Sequence, residues 1–138
     1  MFTPQLYNIK NTQMVVNEYT IQAPAGDTPF ETQRITPEDI IAKVGSKGDF
    51  TFVVQPDKSG RFICRVKQNS SDDVKEIHAL AEAKAIFPCK LIGTSAHEEK
   101  ATAQYAMVER VPEIVFNSAD EAELEFAIIT GAMVRTRK

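Results

Sequence analysis

Histidine and cysteine often serve as general bases, nucleophiles or metal ligands, and this chain of 138 residues holds two of each. His78 stands in register with the apolar residues of a helical pattern, whereas His97 lies in a polar turn. The order His-Glu-Glu-Lys-Ala lacks the second histidine of the His-Glu-x-x-His zinc motif. Cys89 begins a strand-like run and would need a base such as His97 within reach to act as a nucleophile. A small hydrolase or ligand-binding domain that uses His78, His97 and Cys89 therefore stays open as an alternative.

Other catalytic motifs are missing from the sequence. Neither Gly-x-Gly-x-x-Gly nor a Walker-type Gly-Lys-Ser/Thr sequence occurs, and Gly-x-Ser-x-Gly is absent. Cys64 alternates with apolar residues, and without Cys-x-x-Cys spacing both cysteines are predicted to be buried, reduced thiols. The N-terminus shows no basic segment followed by an apolar core, so no secretory signal is expected. We therefore predict a cytoplasmic protein without metal or cofactor, and a non-enzyme rather than an enzyme.

Basic residues form the pattern that most resembles a binding surface. Alternation places Arg61, Arg65 and Lys67, here called the basic strip, on one face of a predicted strand. Arg135 and Arg137 lie in a basic tail at the end of the chain. RNA-recognition modules stack bases on exposed aromatic side chains, but the aromatic residues next to this strip fall on the opposite face. Nucleic-acid binding through the strip and tail is therefore an alternative, and contact with an acidic protein surface also fits.

Three similar start signals predict three helices. Each signal is a hydroxyl residue, a spacer and two acids ahead of an apolar run, which is typical of a capped helix start. The signals predict helices over residues 36–44, 71–85 and 119–130. Glu123 and Glu125 lie beyond the capping positions of the third predicted helix, so this helix would present an acidic surface to a basic partner.

Runs rich in β-branched and aromatic residues predict strands between these helices. The runs cover residues 14–22, 50–55, 61–67, 88–95 and 102–111. A turn rich in Pro, Asp, Ser and Gly predicts that the second and third runs form a hairpin, and the last two runs form another. Alternation places one apolar face of the first hairpin in the core. Its members are Phe50, Phe52, Val54, Phe62, Cys64 and Val66.

The order of these elements predicts an α+β fold in two layers, with a mainly antiparallel sheet of about five strands and three helices. The first part follows the ferredoxin-like order β-α-β-β-α-β, with an extra strand and helix appended. We expect a single domain over residues 1–138, with residues 1–13 as an arm and 134–138 as a basic tail.

A small intracellular binding module that acts through protein–protein contacts fits these features best, as an accessory or inhibitory protein. The long loop over 23–33, the basic strip and the acidic third helix are its predicted contact elements. Another protein is the expected partner, a membrane is not, and the formation of a homo-oligomer stays open.

Overall fold

The computed structural model describes residues 12–22, 24, 28–35, 38–54, 56–67, 71–93, 99–112 and 123–137. This part of the chain is mostly β-structure with one helix. The elements are β1 Thr12–Val16, β2 Tyr19–Thr20, β3 Phe30–Arg34, β4 Ile40–Val44, β5 Phe50–Val54, β6 Gly60–Lys67, α1 Ser71–Ala83, β7 Phe87–Gly93, β8 Glu99–Arg110, β9 Glu123–Thr130 and β10 Val134–Arg137.

The predicted α+β fold with a ferredoxin-like order and three helices is wrong. Residues predicted as the end of the first helix form β4, and those predicted as the acidic third helix form β9. Both segments carry β-branched residues whose stiff side chains suit a strand, and both find a partner strand along their whole length. Strand pairing therefore overrides the local start signals. Residues 36 and 37 of the first signal and all of the third signal, at 118–121, lie outside the described residues.

Eight strands form one antiparallel sheet, in the order β2-β1-β7-β8-β9-β6-β3, and β10 also pairs with β8. The two remaining strands, β4 and β5, pair only with each other. The predicted basic tail is thus part of the sheet, because β9 and β10 follow one another along β8. Between the end of β9 and the start of β10 the chain turns away from β8. At the end of β9 the Thr130 hydroxyl donates a hydrogen bond to the Tyr105 carbonyl of β8 at 2.7 Å.

The core lies on one face of the large sheet, beneath α1. Phe62, Cys64 and Val66 of β6 are fully buried, as the sequence predicts. Phe126 and Ile128 of β9 lie beside them, because β9 pairs with β6 in register. Helix α1 adds Ile77 to this cluster. Two further predictions are confirmed, namely the second helix and the antiparallel pairing of β7 with β8.

Helix α1 is attached to the sheet through a buried carboxylate at its first turn. Asp73 is completely buried and accepts hydrogen bonds from the Tyr19 hydroxyl at 2.6 Å and from the backbone N–H of Gln22 at 2.9 Å. Burial and the bond to Asp73 raise the pKa of Tyr19 above its usual value, so its hydroxyl stays a donor. An acid that the start signal predicts as a helix cap therefore also connects the helix to the β1–β2 hairpin.

The predicted arm and the predicted long loop are only partly described by the structure. The arm at residues 1–13 is described only for Thr12 and Gln13, which belong to β1, and most of the loop at 23–29 also lies outside the described residues. The last residues of that predicted loop form β3 instead. The single domain and the cytoplasmic localisation stay predictions.

Candidate protein interface

The β4–β5 hairpin presents an exposed apolar face. Its register places Ile40 opposite Val54, Ala42 opposite Phe52 and Val44 opposite Phe50. Since side chains alternate across a strand, all six side chains lie on one face of the hairpin. The predicted pairing of β5 with β6 is therefore wrong, because β5 takes β4 as its partner and β6 lies between β9 and β3.

The exposure of these side chains is unusually high for apolar residues. The exposed fractions are 58% for Ile40, 74% for Val44, 61% for Phe50, 66% for Phe52 and 70% for Val54. Ala42 is exposed as well. The predicted burial of Phe50, Phe52 and Val54 is thus wrong, although their alternation is real. The reason is that no described element covers the hairpin on this side, and its opposite face carries the half-buried Ile41 and Val53.

This apolar face is large enough to be a protein interface. Its side chains expose roughly 600 Å² together, at the upper end of the patches found on soluble monomers. That area is close to the ~800 Å² that one partner contributes to a standard protein–protein interface. The rings of Phe50 and Phe52 already pack edge to face with centroids 5.3 Å apart, so the pair is partly ordered before any partner arrives.

A short ordered turn holds the two strands of the hairpin together. The Gly45 amide donates to the Asp49 carbonyl at 2.6 Å, and the Gly48 amide donates to the Gly45 carbonyl at 3.1 Å. Gly48 has a φ of 85°, in the left-handed region that glycine adopts at little cost. Gly45 directly follows the helix predicted over residues 36–44, where a glycine is typical of a helix end, but it belongs to this turn. The signal that the helix prediction misses is a glycine-containing turn between two runs rich in β-branched and aromatic residues, which is typical of a hairpin.

The predicted basic strip lies on the outer face of β6, opposite the core. Arg65 donates to Glu125 at 2.7 Å and lies 3.5 Å from Glu31, while Arg61 donates to Glu109 at 3.0 Å. Lys67 stands opposite Glu123 in the β6–β9 register. The structure therefore brings the predicted basic and acidic surfaces into one sheet face, where they neutralise each other.

This charged network has a structural role on the outer face. Glu125 also accepts from Arg110 at 3.2 Å, so one carboxylate joins two arginines from neighbouring strands. Between these groups, Ile63 and Ala127 face each other and are buried. The charged side chains shield this apolar pair from water. A binding role for the basic strip, Glu123 and Glu125 stays a prediction.

The two tail arginines lie elsewhere on the sheet. Arg135 pairs with Ala101, and Arg137 pairs with Glu99, which its side chain contacts at 3.3 Å. Both belong to β10, which runs along the first part of β8, whereas the basic strip belongs to β6 and neighbours β9. The predicted tail is therefore an ordered strand, and its binding role also stays a prediction.

Both cysteines are free and buried, as predicted, and Cys89 lacks the surroundings that the alternative role of nucleophile needs. Cys89 is 2% exposed, and burial raises its pKa well above the usual value for a thiol. Burial likewise raises the pKa of Cys64 to about 12. Both changes oppose thiolate formation. His78 is exposed on α1 and lies 3.4 Å from Glu82, and His97 is outside the described residues.

The described residues contain no cluster of three or more histidines, cysteines or acids that could hold a metal ion. Among the described residues, helix α1 is too short and too polar to cross a membrane.

The overall fold is similar to that of chains from contractile injection assemblies. One is a chain of the sheath/tube terminator of an extracellular contractile injection system, PVC, in the extended state, with a TM-score of 0.68 and 11% identity over 98% of this chain and 99% of that chain. A chain of the anti-feeding prophage tube-terminating cap has a TM-score of 0.66 and 6% identity over 100% of this chain and 95% of that one. A chain of the PVC sheath–tube complex in the extended state has a TM-score of 0.64 and 10% identity over 95% and 91%.

Identity at this level establishes a shared fold and no more. No protein-family model and no curated protein sequence matches the chain.

Proposed function

We propose that this chain is a structural subunit of a tube-like protein assembly and acts by contact with neighbouring subunits. The observation that carries the proposal is the exposed apolar face of the β4–β5 hairpin. The fold similarity to terminator, cap and sheath–tube chains supports the same kind of role. An accessory or inhibitory activity, as predicted from the sequence, finds no support in these similarities.

In this role the hairpin face packs against another subunit. Burial of roughly 600 Å² of apolar surface would contribute about 15 kcal/mol before the cost of association. Lost rotational and translational freedom offsets much of that gain, so the face is sufficient for a stable contact when it is well packed. Each strand of the two-stranded hairpin also keeps one unpaired edge among the described residues, which is available for hydrogen bonds to a neighbouring backbone.

A second copy of this chain is the simplest neighbour to test. We would compare the purified protein with Phe50→Ser and Phe52→Ser, alone and combined, by sedimentation velocity across a range of concentrations. The expected result is concentration-dependent association of the natural chain, weakened at least about 30-fold by the double variant, because aromatic anchors dominate interfaces.

The matched controls are Lys43→Gln and Thr51→Ser, which change the same two strands at residues outside the apolar face. Both should associate as the natural chain does. A natural chain that stays monomeric, or a double variant that associates equally well, would count against the hairpin as the contact between copies.

A further inference from the structure

A cleft of about 790 Å³ lies at one end of the large sheet, and its lining residues include none of the six that form the apolar face of the hairpin. Three alternate residues of β3, namely Phe30, Thr32 and Arg34, line one side of it. Its other walls come from the described parts of β1, β7, β8 and β10, from Lys58 and from Asp39, which precedes β4. Strand β3 is the last strand in the sheet order, so its outer edge is unpaired among the described strands.

Arg34 has donors in this cleft that no described acceptor satisfies. Its Nη2 donates to the Met133 carbonyl at 3.2 Å, but its Nε and Nη1 are buried and have no hydrogen-bond partner. A guanidinium has five N–H donors in a fixed fork, and buried donors of a charged group are costly when they are left unpaired. Arg34 therefore combines one structural bond with two donors that are available to an acceptor from a bound partner.

The charges around the cleft favour an anionic acceptor. Five cations line it, and they exceed the two carboxylates by three. Arg137 is already paired with the carboxylate of Glu99, so Lys58, Lys100 and Arg135 are the other cations that line the cleft with Arg34. Phe30, Leu91 and Ala101 add apolar surface to the same cleft.

From these observations we infer that the cleft binds an extended, carboxylate-bearing segment of another protein subunit. A carboxylate matches the Arg34 fork, because two parallel N–H···O bonds can form at once. The apolar residues suit side chains of the segment, and the free edge of β3 can pair with its backbone. That the occupant is a protein segment rests on the proposed function, whereas the anion site rests on Arg34 and its neighbours.

The test uses hexaglutamate as the probe, with the full chain, at low and moderate salt. Isothermal titration calorimetry should show binding to one site, and Arg34→Met should weaken it at least tenfold. The matched control is Arg61→Met, which removes an arginine from the opposite face and should leave binding unchanged. Hexaglutamate should also raise the melting temperature of the natural chain but not that of Arg34→Met.

A second readout separates this site from a structural arginine. Without peptide, Arg34→Met should melt at about the same temperature as the natural chain, because the removal of two buried, unpaired donors offsets the loss of the bond to the Met133 carbonyl. A clear fall in melting temperature with no change in peptide binding would overturn the proposal. Binding that Arg34→Met and Arg61→Met weaken equally would also overturn it.

Two further measurements identify the chemical class of the ligand and separate a failure of this proposal from a failure of the proposed function. If a single-stranded DNA oligonucleotide or inorganic phosphate binds more tightly than hexaglutamate and also depends on Arg34, a carboxylate segment is the wrong occupant. The hairpin variant Phe52→Ser should bind hexaglutamate normally. If Phe52→Ser loses self-association but still binds hexaglutamate, the result supports the hairpin contact alone. If Arg34→Met loses hexaglutamate binding but still self-associates, the result supports the cleft alone.

Discussion

Strands β5 and β6 carry similar alternations of apolar side chains and meet opposite fates. Phe62, Cys64 and Val66 of β6 are each 0% exposed, whereas the three corresponding apolar residues of β5 are 61–70% exposed. Strand β6 lies between β9 and β3, and its apolar face belongs to the core cluster to which α1 contributes. Among the described strands, β5 has β4 alone beside it. Alternation thus shows that a strand has an apolar face, but not which molecule covers that face.

The largest difference should appear when an aromatic residue is truncated in each strand. Phe62→Ala removes a buried ring and should lower the free energy of unfolding by about 3–5 kcal/mol. Phe52→Ala removes an exposed ring and should change it by no more than about 0.5 kcal/mol. Urea unfolding of dilute protein, followed by circular dichroism, measures both. Equal losses would mean that the hairpin packs on its own chain in solution.

The next effect concerns the attachment of α1 to the sheet. Asp73→Ala leaves the Tyr19 hydroxyl and the Gln22 amide without this acceptor and should cost about 2–4 kcal/mol of unfolding free energy. Tyr19→Phe removes one of these bonds and should cost about 1 kcal/mol. Thermal and urea unfolding of the three proteins give the values. A neutral Asp73→Ala would show that the apolar packing of α1 alone holds it on the core.

A smaller effect is expected on the outer face of β6, which differs from the hairpin because its charges already have partners. A double-mutant cycle with Arg65→Met and Glu125→Gln should give a coupling free energy of about 0.5–1 kcal/mol, since both side chains are partly exposed. The value should fall as salt is added. A coupling near zero at low salt would contradict the ion pair, and one that salt leaves unchanged would contradict its exposure.

The last prediction uses the reactivity of cysteine thiols to show which side chains are covered by protein. Cys64, with its pKa raised to about 12 by burial, and the equally buried Cys89 should resist a thiol reagent such as DTNB at pH 8. Both should react once urea unfolds the chain. A Val54→Cys substitution places a thiol on the exposed face of β5, where it should react at once in dilute protein. Protection of that thiol on raising the protein concentration would map the contact between copies.

Part of this molecule could be predicted because the signals are local. Helix α1 has acids in its first turn and apolar residues at helical spacing, so neighbours in the sequence suffice to define it. The β7–β8 pair and the alternation of β6 are similarly local, since each depends on period-2 patterns. The prediction is wrong at β4 and β9, where a helix-like start precedes strand residues. β4 pairs with β5 in a hairpin whose turn signal the prediction missed, whereas β9 pairs with the distant strand β6.

The sequence predicts which residues of β5 share the apolar face of the candidate interface, but not that this face is exposed. Phe50, Phe52 and Val54 could be placed on one face of a strand, but the same pattern describes a core strand. Ile40 and Val44 fit a helix face as well as a strand face, because the start signal favours one and β-branching the other. Choosing between these readings requires knowing which strand pairs with which.

Neighbours within a few positions define the alternation of β5 and β6, the start of α1 and the residue types of the charged surfaces. Only the folded chain defines the remaining features. It paired β5 with β4 and left their apolar face exposed, it set Arg65 against Glu125, and it buried the unpaired donors of Arg34. The pairing of β4 with β5 is local in the chain. The exposure of their apolar face, the Arg65–Glu125 pair and the burial of the Arg34 donors depend on segments far apart in the sequence, whose meeting no local pattern records.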